Sequence, residues 1–283
     1  MSPAADTWVD RLRGFLPELA ALPELAPLAG CWSVLLHGST TMGVDDAHSD
    51  LDLWALVEPE TLAELDRSSP TRFFGFELAG KKGHLNVEDG NLFTSRVRSC
   101  DMPLLAELRD ARVLEDALGL GAGLTAAARK PMPEDVRSAW FRFHYVEMRG
   151  HHRNADNALA RGAAIASLIS VTEAAAHGMR AALVLDGVPY PYEKWLAVRA
   201  LTCPTGRPAC KAVERLLGAL EAGGLRGQAG SVGADIQAPL SELRSILIGR
   251  ARGAGLDGPW LERWWLYLPD ARAGIATARW PGV

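Results

Sequence analysis

Residues 31–57 read CWSVLLHGSTTMGVDDAHSDLDLWALV, and their pattern decides the fold. Residues 31–37 are a short, continuous apolar run, the signature of a buried strand. The run ends on Gly38 and Ser39 and gives way to a loop over 38–49 rich in glycine, threonine, aspartate and serine. Residues 50–57 then read as a second strand, in which Asp50 and Asp52 alternate with leucines at period two. Side chains two apart on a strand point the same way, about 7 Å apart at the backbone, so the two carboxylates share one face. Two anions side by side on a strand are destabilising without a cation, which gives a physical reason to expect a metal ion there. Magnesium takes oxygen ligands and keeps several waters, so two or three carboxylates suffice to hold it. Upstream, Gly38 lets the backbone come close to an anion. The N–H groups of such a turn can hold a phosphate, with the Ser39 hydroxyl as a further donor and Thr40 and Thr41 to assist.

Outward from this stretch, residues 8–20 have the apolar spacing of a helix, with Trp8, Leu12, Phe15, Leu16 and Leu19 on one face. Residues 58–69 read as a short helix. Residues 72–79 and 83–88 read as two more strands joined by a turn over Gly80–Gly83. From Pro133 onward the character changes to long Ala/Leu-rich segments. Helices are predicted over 134–160, 162–185, 193–201, 208–222, 235–252 and 259–267, with 223–234 a mobile Gly/Ala-rich connection. The fold class expected is α+β: an N-terminal α/β domain with a short mixed sheet over 1–125, then a C-terminal helical bundle over 126–283.

The 283 residues, 48% hydrophobic and 23% charged, suit a soluble globular protein of one large or two medium domains. No apolar run reaches the ~20 residues of a membrane span, and no basic-then-apolar leader opens the chain, so neither membrane insertion nor export is expected. Cys31, Cys100, Cys203 and Cys210 form no Cys-x-x-Cys pair. They therefore point away from zinc–thiolate binding and toward a reduced cytoplasmic setting. The net charge of −4, with basic residues scattered rather than clustered, fits a small-molecule or protein acceptor better than a long polynucleotide.

The combination of a strand, Gly38-Ser39, ten intervening residues and Asp50-Leu51-Asp52 opening a second strand resembles the polymerase-β-like nucleotidyltransferase superfamily, which includes the bacterial antibiotic-modifying (aminoglycoside-type) adenylyltransferases. Residues 31–57 carry the resemblance. It implies transfer of a nucleotidyl group from ATP or another NTP to a hydroxyl, with two Mg2+ ions about 3.5–4 Å apart held by Asp50 and Asp52. It also implies a third acidic residue from a later strand. In 84–89, Leu85 and Val87 would face the core and His84, Asn86 and Glu88 the opposite side. Glu88 is the candidate metal ligand and general base, although matching by apolar pattern could put Asn86 in the family position. Asp89 reads as a turn residue, and Asp45 and Asp46 as solvated loop carboxylates.

In the helical half, residues 189–196 carry a Lys-Trp-Leu element like one in related enzymes, which makes Lys194 the candidate cation for the triphosphate and Tyr190 or Tyr192 a candidate stacking partner for the base. Glu147 and Glu173 are alternative general bases from that half. The run 149–154 (Arg-Gly-His-His-Arg-Asn) reads as a solvated helix face without a metal-ligand pattern, because adjacent histidines on a helix diverge. Trp260 and Trp264 have the spacing of core residues. The expected acceptor is a small hydroxylated molecule, aminoglycoside-like by the resemblance. A protein or tRNA acceptor, or a silent nucleotide-binding or antitoxin-like module, are the alternatives.

Overall fold

The computed structural model describes residues 3–224 and 232–282. They belong to two compact units, Met1–Lys130 with Trp280–Val283, and Pro131–Arg279. The chain leaves the first unit after Lys130, beyond position 125, because the last helix of that unit runs on to Arg129. Trp280 returns to the first unit, where its indole N–H donates to the Ala127 carbonyl at 2.9 Å.

The first unit is built on a five-stranded mixed sheet: β1 (Trp32–His37), β2 (Leu51–Val57), β3 (Phe73–Leu78), β4 (Lys81–Asp89) and β5 (Arg112–Asp116), in the order β3-β4-β2-β1-β5. β1 pairs antiparallel with both β2 and β5, β3 pairs antiparallel with β4, and only β2 and β4 run parallel. Strand alternation divides the side chains. Trp32, Val34, Leu36, Leu51, Leu53, Ala55, Val57, Leu85 and Val87 form one apolar core with Val9, Leu12, Leu16 and Leu19 of helix α1 (Pro3–Ala20). The opposite face carries Leu35, Trp54 and Leu56, also buried. Three helices supply its apolar cover: α4 (Gly90–Arg98), α5 (Met102–Asp110) and α6 (Leu120–Arg129). The Trp54 indole meets Phe93 of α4 edge-on, with ring centroids 4.9 Å apart. Burying both faces requires apolar residues at almost every strand position, which is why residues 31–37 show no alternation.

Local chemistry sets several boundaries. The stretch expected to be all loop, 38–49, begins with a single helical turn, α2 (Ser39–Met42), followed by Gly43 in the left-handed conformation. α3 (Pro59–Ser68) opens on a proline, whose missing N–H costs nothing at a helix start. The β3–β4 turn is only two residues, Ala79 (φ 52) and Gly80 (φ 78). Tight hairpins demand positive φ at both central positions, and Lys81 and Lys82 are already in the strand rather than in the turn.

The second unit is helical: α7 (Glu134–Ala160), α8 (Ala164–Leu185), α9 (Glu193–Leu201), α10 (Gly206–Ala219), α11 (Val232–Gly253) and α12 (Leu268–Thr277). α7 and α8 pack along their lengths. Residues 259–267, expected as one helix, are two separate 3-10 turns, Pro259–Leu261 and Trp264–Leu266. Most of the 223–234 connection lies outside the described residues. α8 is the one described helix long and apolar enough to cross a membrane, although the sequence suggested none; half of its most apolar window is buried inside the protein, as in the core helix of a bundle.

Candidate functional site

The Gly38 turn and the Asp50–Asp52 segment meet because β1 and β2 are antiparallel neighbours with His37 opposite Asp52. Gly38 has φ 78 and ψ −152, a region open only to glycine. A Cβ built there would lie 2.7 Å from the Asp52 Oδ2. Glycine thus gives the turn its shape, and the Asp52 carboxylate leaves no room for a side chain there. Ser39, Thr40 and Thr41 are buried. The Thr41 hydroxyl donates to the Gly38 carbonyl at 3.0 Å and locks the turn, whereas the Thr40 Oγ1 is buried with no partner among the described residues. Asp50 sits just before β2 and Asp52 within it, both partly exposed. The face they share is acidic only at this end, since Trp54 and Leu56 continue it into the core.

Beneath the turn lies an arrangement the sequence did not reveal. The His37 ring stacks on Trp54, centroids 3.5 Å apart and 10° between planes. Its Nδ1 is 2.8 Å from the Oε2 of Glu107 on α5, and both groups are buried. Its Nε2 is buried and has no partner among the described residues. Hydrogen bonds to a buried carboxylate are strong and directional, so Glu107 fixes the residue that precedes Gly38. The only sequence signal for it is a glutamate inside the apolar run 102–108.

The parallel register of β2 and β4 decides the third position. His84 stands opposite Asp52, Asn86 opposite Trp54 and Glu88 opposite Leu56. The His84 Nδ1 is 3.8 Å from the Asp50 Oδ2, and its ring stacks on Phe73 at 4.7 Å. Glu88 is four residues beyond His84, about 13 Å farther along the strand. It shares the face of Asp52, as the alternation implied, yet stands too far along to share a metal ion with it. Asn86 misses the position by two residues. Asp89 caps α4, accepting from the N–H groups of Asn91 and Leu92 at 2.8 and 3.0 Å. Asp46 closes its loop on His48 and Ser49, and those bonds hold its carboxyl below the usual range. Asp45 pairs with Lys81 at 3.4 Å.

Within the helical unit, Lys194 is exposed near the start of α9, its ammonium 5.5 Å from the Trp195 ring centroid. Tyr190 is buried against Trp140 and His144, and Tyr192 is exposed. Glu147 is buried and accepts from the Arg272 Nε at 2.7 Å. Glu173 lies with His151 and His177. Burial drives His144 well below the usual imidazole range; burial, with Arg180 and His151, pushes His177 down to about 4, so both rings are neutral at neutral pH. Trp260 packs in the core on Phe141 and Tyr145, whereas Trp264, expected to pack with it, is only half-buried, because residues 264–266 form a separate turn rather than a continuation of the helical face.

No family model matches the chain, and no curated protein is found similar to it. Among solved structures, it is similar to a nucleotidyltransferase-like protein from Exiguobacterium sibiricum, with 14% identity over 88% of this chain and 77% of that one and a TM-score of 0.48. A likeness of that degree does not bear on activity, which has to be read from the residues of the Gly38 turn and the sheet beside it.

Proposed function

We propose that this chain is a metal-dependent nucleotidyltransferase that moves a nucleoside monophosphate, AMP by preference, from an NTP to a hydroxyl of a small acceptor and releases pyrophosphate. The observation that carries the reading is the close approach of Gly38 and Asp52: a positive-φ glycine turn with no room for a side chain abuts the carboxylate that follows Asp50 by two residues. The donor types suit a divalent ion, since Asp50 and Asp52 are partly exposed carboxylates two residues apart and the buried Thr40 Oγ1 lies unpartnered among the described residues in the adjoining turn.

In this reading Asp50 and Asp52 hold the metal. The Gly38–Ser39 backbone and the Ser39 hydroxyl hold the triphosphate, and Glu107 fixes the turn through His37. A divalent ion bound there would neutralise charge on the phosphates and lower the pKa of the attacking hydroxyl. The acceptor oxygen attacks the α-phosphorus in line and gives up its proton to water, the bond from that phosphorus to the bridging oxygen breaks, and pyrophosphate leaves. Positioning and charge neutralisation carry most of the catalysis. Lys194 remains the sequence's candidate for a further cation on the triphosphate. His84 occupies the place beside Asp52, and an imidazole added to two carboxylates suits manganese or another transition ion better than magnesium. An aminoglycoside-like acceptor follows from the resemblance alone.

His84 also favours a second reading. With a histidine in place of a carboxylate beside Asp52, the site could bind NTP without transferring it. The test is to incubate the chain with each α-labelled NTP and with Mg2+ or Mn2+, against panels of aminoglycosides, proteins and tRNA. Pyrophosphate release and label transfer that vanish in both Asp50→Asn and Asp52→Asn support the transferase. Metal-dependent NTP binding without any pyrophosphate release selects the silent module. Normal turnover in either variant refutes the metal assignment.

A further inference from the structure

α7 and α8 bring three metal-ligating side chains together in the helical unit, and the proposed nucleotide chemistry uses none of them. Glu173 and His177 are one helical turn apart on α8, so they share a face. His151 reaches them from α7. Each offers a ligand atom, and the three atoms lie within 4.8 Å of one another at half-buried positions. The His151 and His177 rings stack with centroids 5.6 Å apart and 17° between planes.

A second, independent observation concerns His144, two turns before His151 on α7. It is almost wholly buried, and its Nδ1 is 2.8 Å from the Nδ1 of His177. That contact occupies one ring nitrogen of His177 and leaves Nε2 as its free donor. A metal-binding histidine typically has its other nitrogen held in this manner, which fixes both the ring and the tautomer. His177 ligates through Nε2 in the tautomer whose Nδ1–H donates to the His144 Nδ1, which leaves the His144 Nε2–H buried without an acceptor among the described residues. The charge of neighbouring Arg180 is matched by its ion pair with Glu193, and Glu173 adds a negative charge to the donor set.

We propose that His151, Glu173 and His177 form a zinc site that staples α7 to α8. Two imidazoles and a carboxylate are borderline ligands that suit Zn2+ and disfavour Mg2+ and Ca2+. Zinc bonds to such ligands are about 2.0–2.2 Å long. Ligand atoms around one tetrahedral ion therefore stand about 3.4 Å apart, and the cluster closes to that spacing by side-chain movement of about an ångström. Three protein ligands leave the fourth position open to water.

The test uses the full chain without a histidine tag, carrying Asp50→Asn and Asp52→Asn so that the acidic pair cannot contribute. After chelator treatment it is titrated with Zn2+ by calorimetry and with Co2+ by visible absorption. The expected result is one Zn2+ per chain at micromolar affinity or tighter, ligand-field bands with Co2+, a rise in Tm of several degrees with zinc, and none of these with Mg2+. His151→Ala and Glu173→Gln, each checked for native helix content by circular dichroism, should weaken zinc binding at least ten-fold. Failure of the double-Asn chain to bind zinc, or undiminished affinity in both cluster variants, overturns the site. Neither outcome bears on the nucleotidyltransferase reading, whose metal ligands are absent from the test protein.

Discussion

Gly38→Ala should injure stability modestly and nucleotide binding severely, and the two effects can be separated. An alanine at φ 78 and ψ −152 carries a backbone strain of about 1–3 kcal/mol, which for a domain of this size lowers Tm by roughly 3–10 °C. The new methyl would also stand 2.7 Å from the Asp52 Oδ2, so one of the two must move. The carboxylate is the end of a side chain and yields at little cost to folding, but it is displaced from the position at which, in the proposed function, it would hold the metal. A shift of an ångström at such a ligand can cost a hundredfold in rate. Gly30→Ala is the matched control: its φ is 74 and nothing lies within 4 Å of the added Cβ, so it carries strain without the clash. Denaturant melts measure stability for both variants, and calorimetric titration with NTP and Mn2+ measures the site. The expected outcome is a loss of stability in both variants, with NTP affinity down at least ten-fold in Gly38→Ala alone. If Gly38→Ala binds NTP as the native chain does, the turn is not the phosphate site and the argument from the Gly38–Asp52 contact fails.

Two further predictions follow from the same unit. Glu88→Gln should keep transfer within about three-fold of native in single-turnover assays, because the register sets Glu88 about 13 Å along the strand from the level of Asp52; a drop of the 10²–10⁴ expected for a lost general base would restore it to the chemistry. Asp116 accepts from the Ser33 hydroxyl at 2.5 Å and from the N–H groups of Gly121 and Ala122 at 2.9 Å each. Those bonds outweigh the upward push of partial burial and hold its carboxyl below the ordinary 3.8. Its folded pKa is depressed, so its contribution is complete above about pH 4 and is lost as pH falls through the lower folded value. Asp116→Asn should cost about 1–2 kcal/mol at neutral pH and flatten the acid limb of stability against pH; an unchanged acid limb refutes the linkage.

Patterns confined to one element were legible in the sequence. Period two put Leu51 and Leu53 in the core and Asp52 on the other face, and the change to long Ala/Leu-rich segments after Pro133 marked α7 over its full length. Residues 90–129 went unassigned, although they hold α4, α5, β5 and α6. Those helices cover the second face of the sheet, so their apolar positions answer to a tertiary partner rather than to a period visible in a short window. The same cover explains why β2 is acidic for only its first residues: Trp54 and Leu56 share the face of Asp52 but lie under α4, α5 and α6.

For the site, a local pattern says which residues share a face but not which stand level across strands. His84, Asn86 and Glu88 are equivalent by alternation, and chemical type favoured the carboxylate among them. The choice is made by hydrogen bonds between β2 and β4, whose register sets Asp52 against His84, and no single-strand property encodes that offset. The histidines of the helical unit make the same point for helices. His151 and His152 diverge on α7, which argued against a metal site from that run alone. The divergence is real, since His152 turns to Gln237 while His151 turns to His177, yet the ligands that complete a cluster with His151 come from α8. A metal-ligand pattern split between two helices leaves no spacing in the sequence to count, and only the packing of α7 on α8 brings it together.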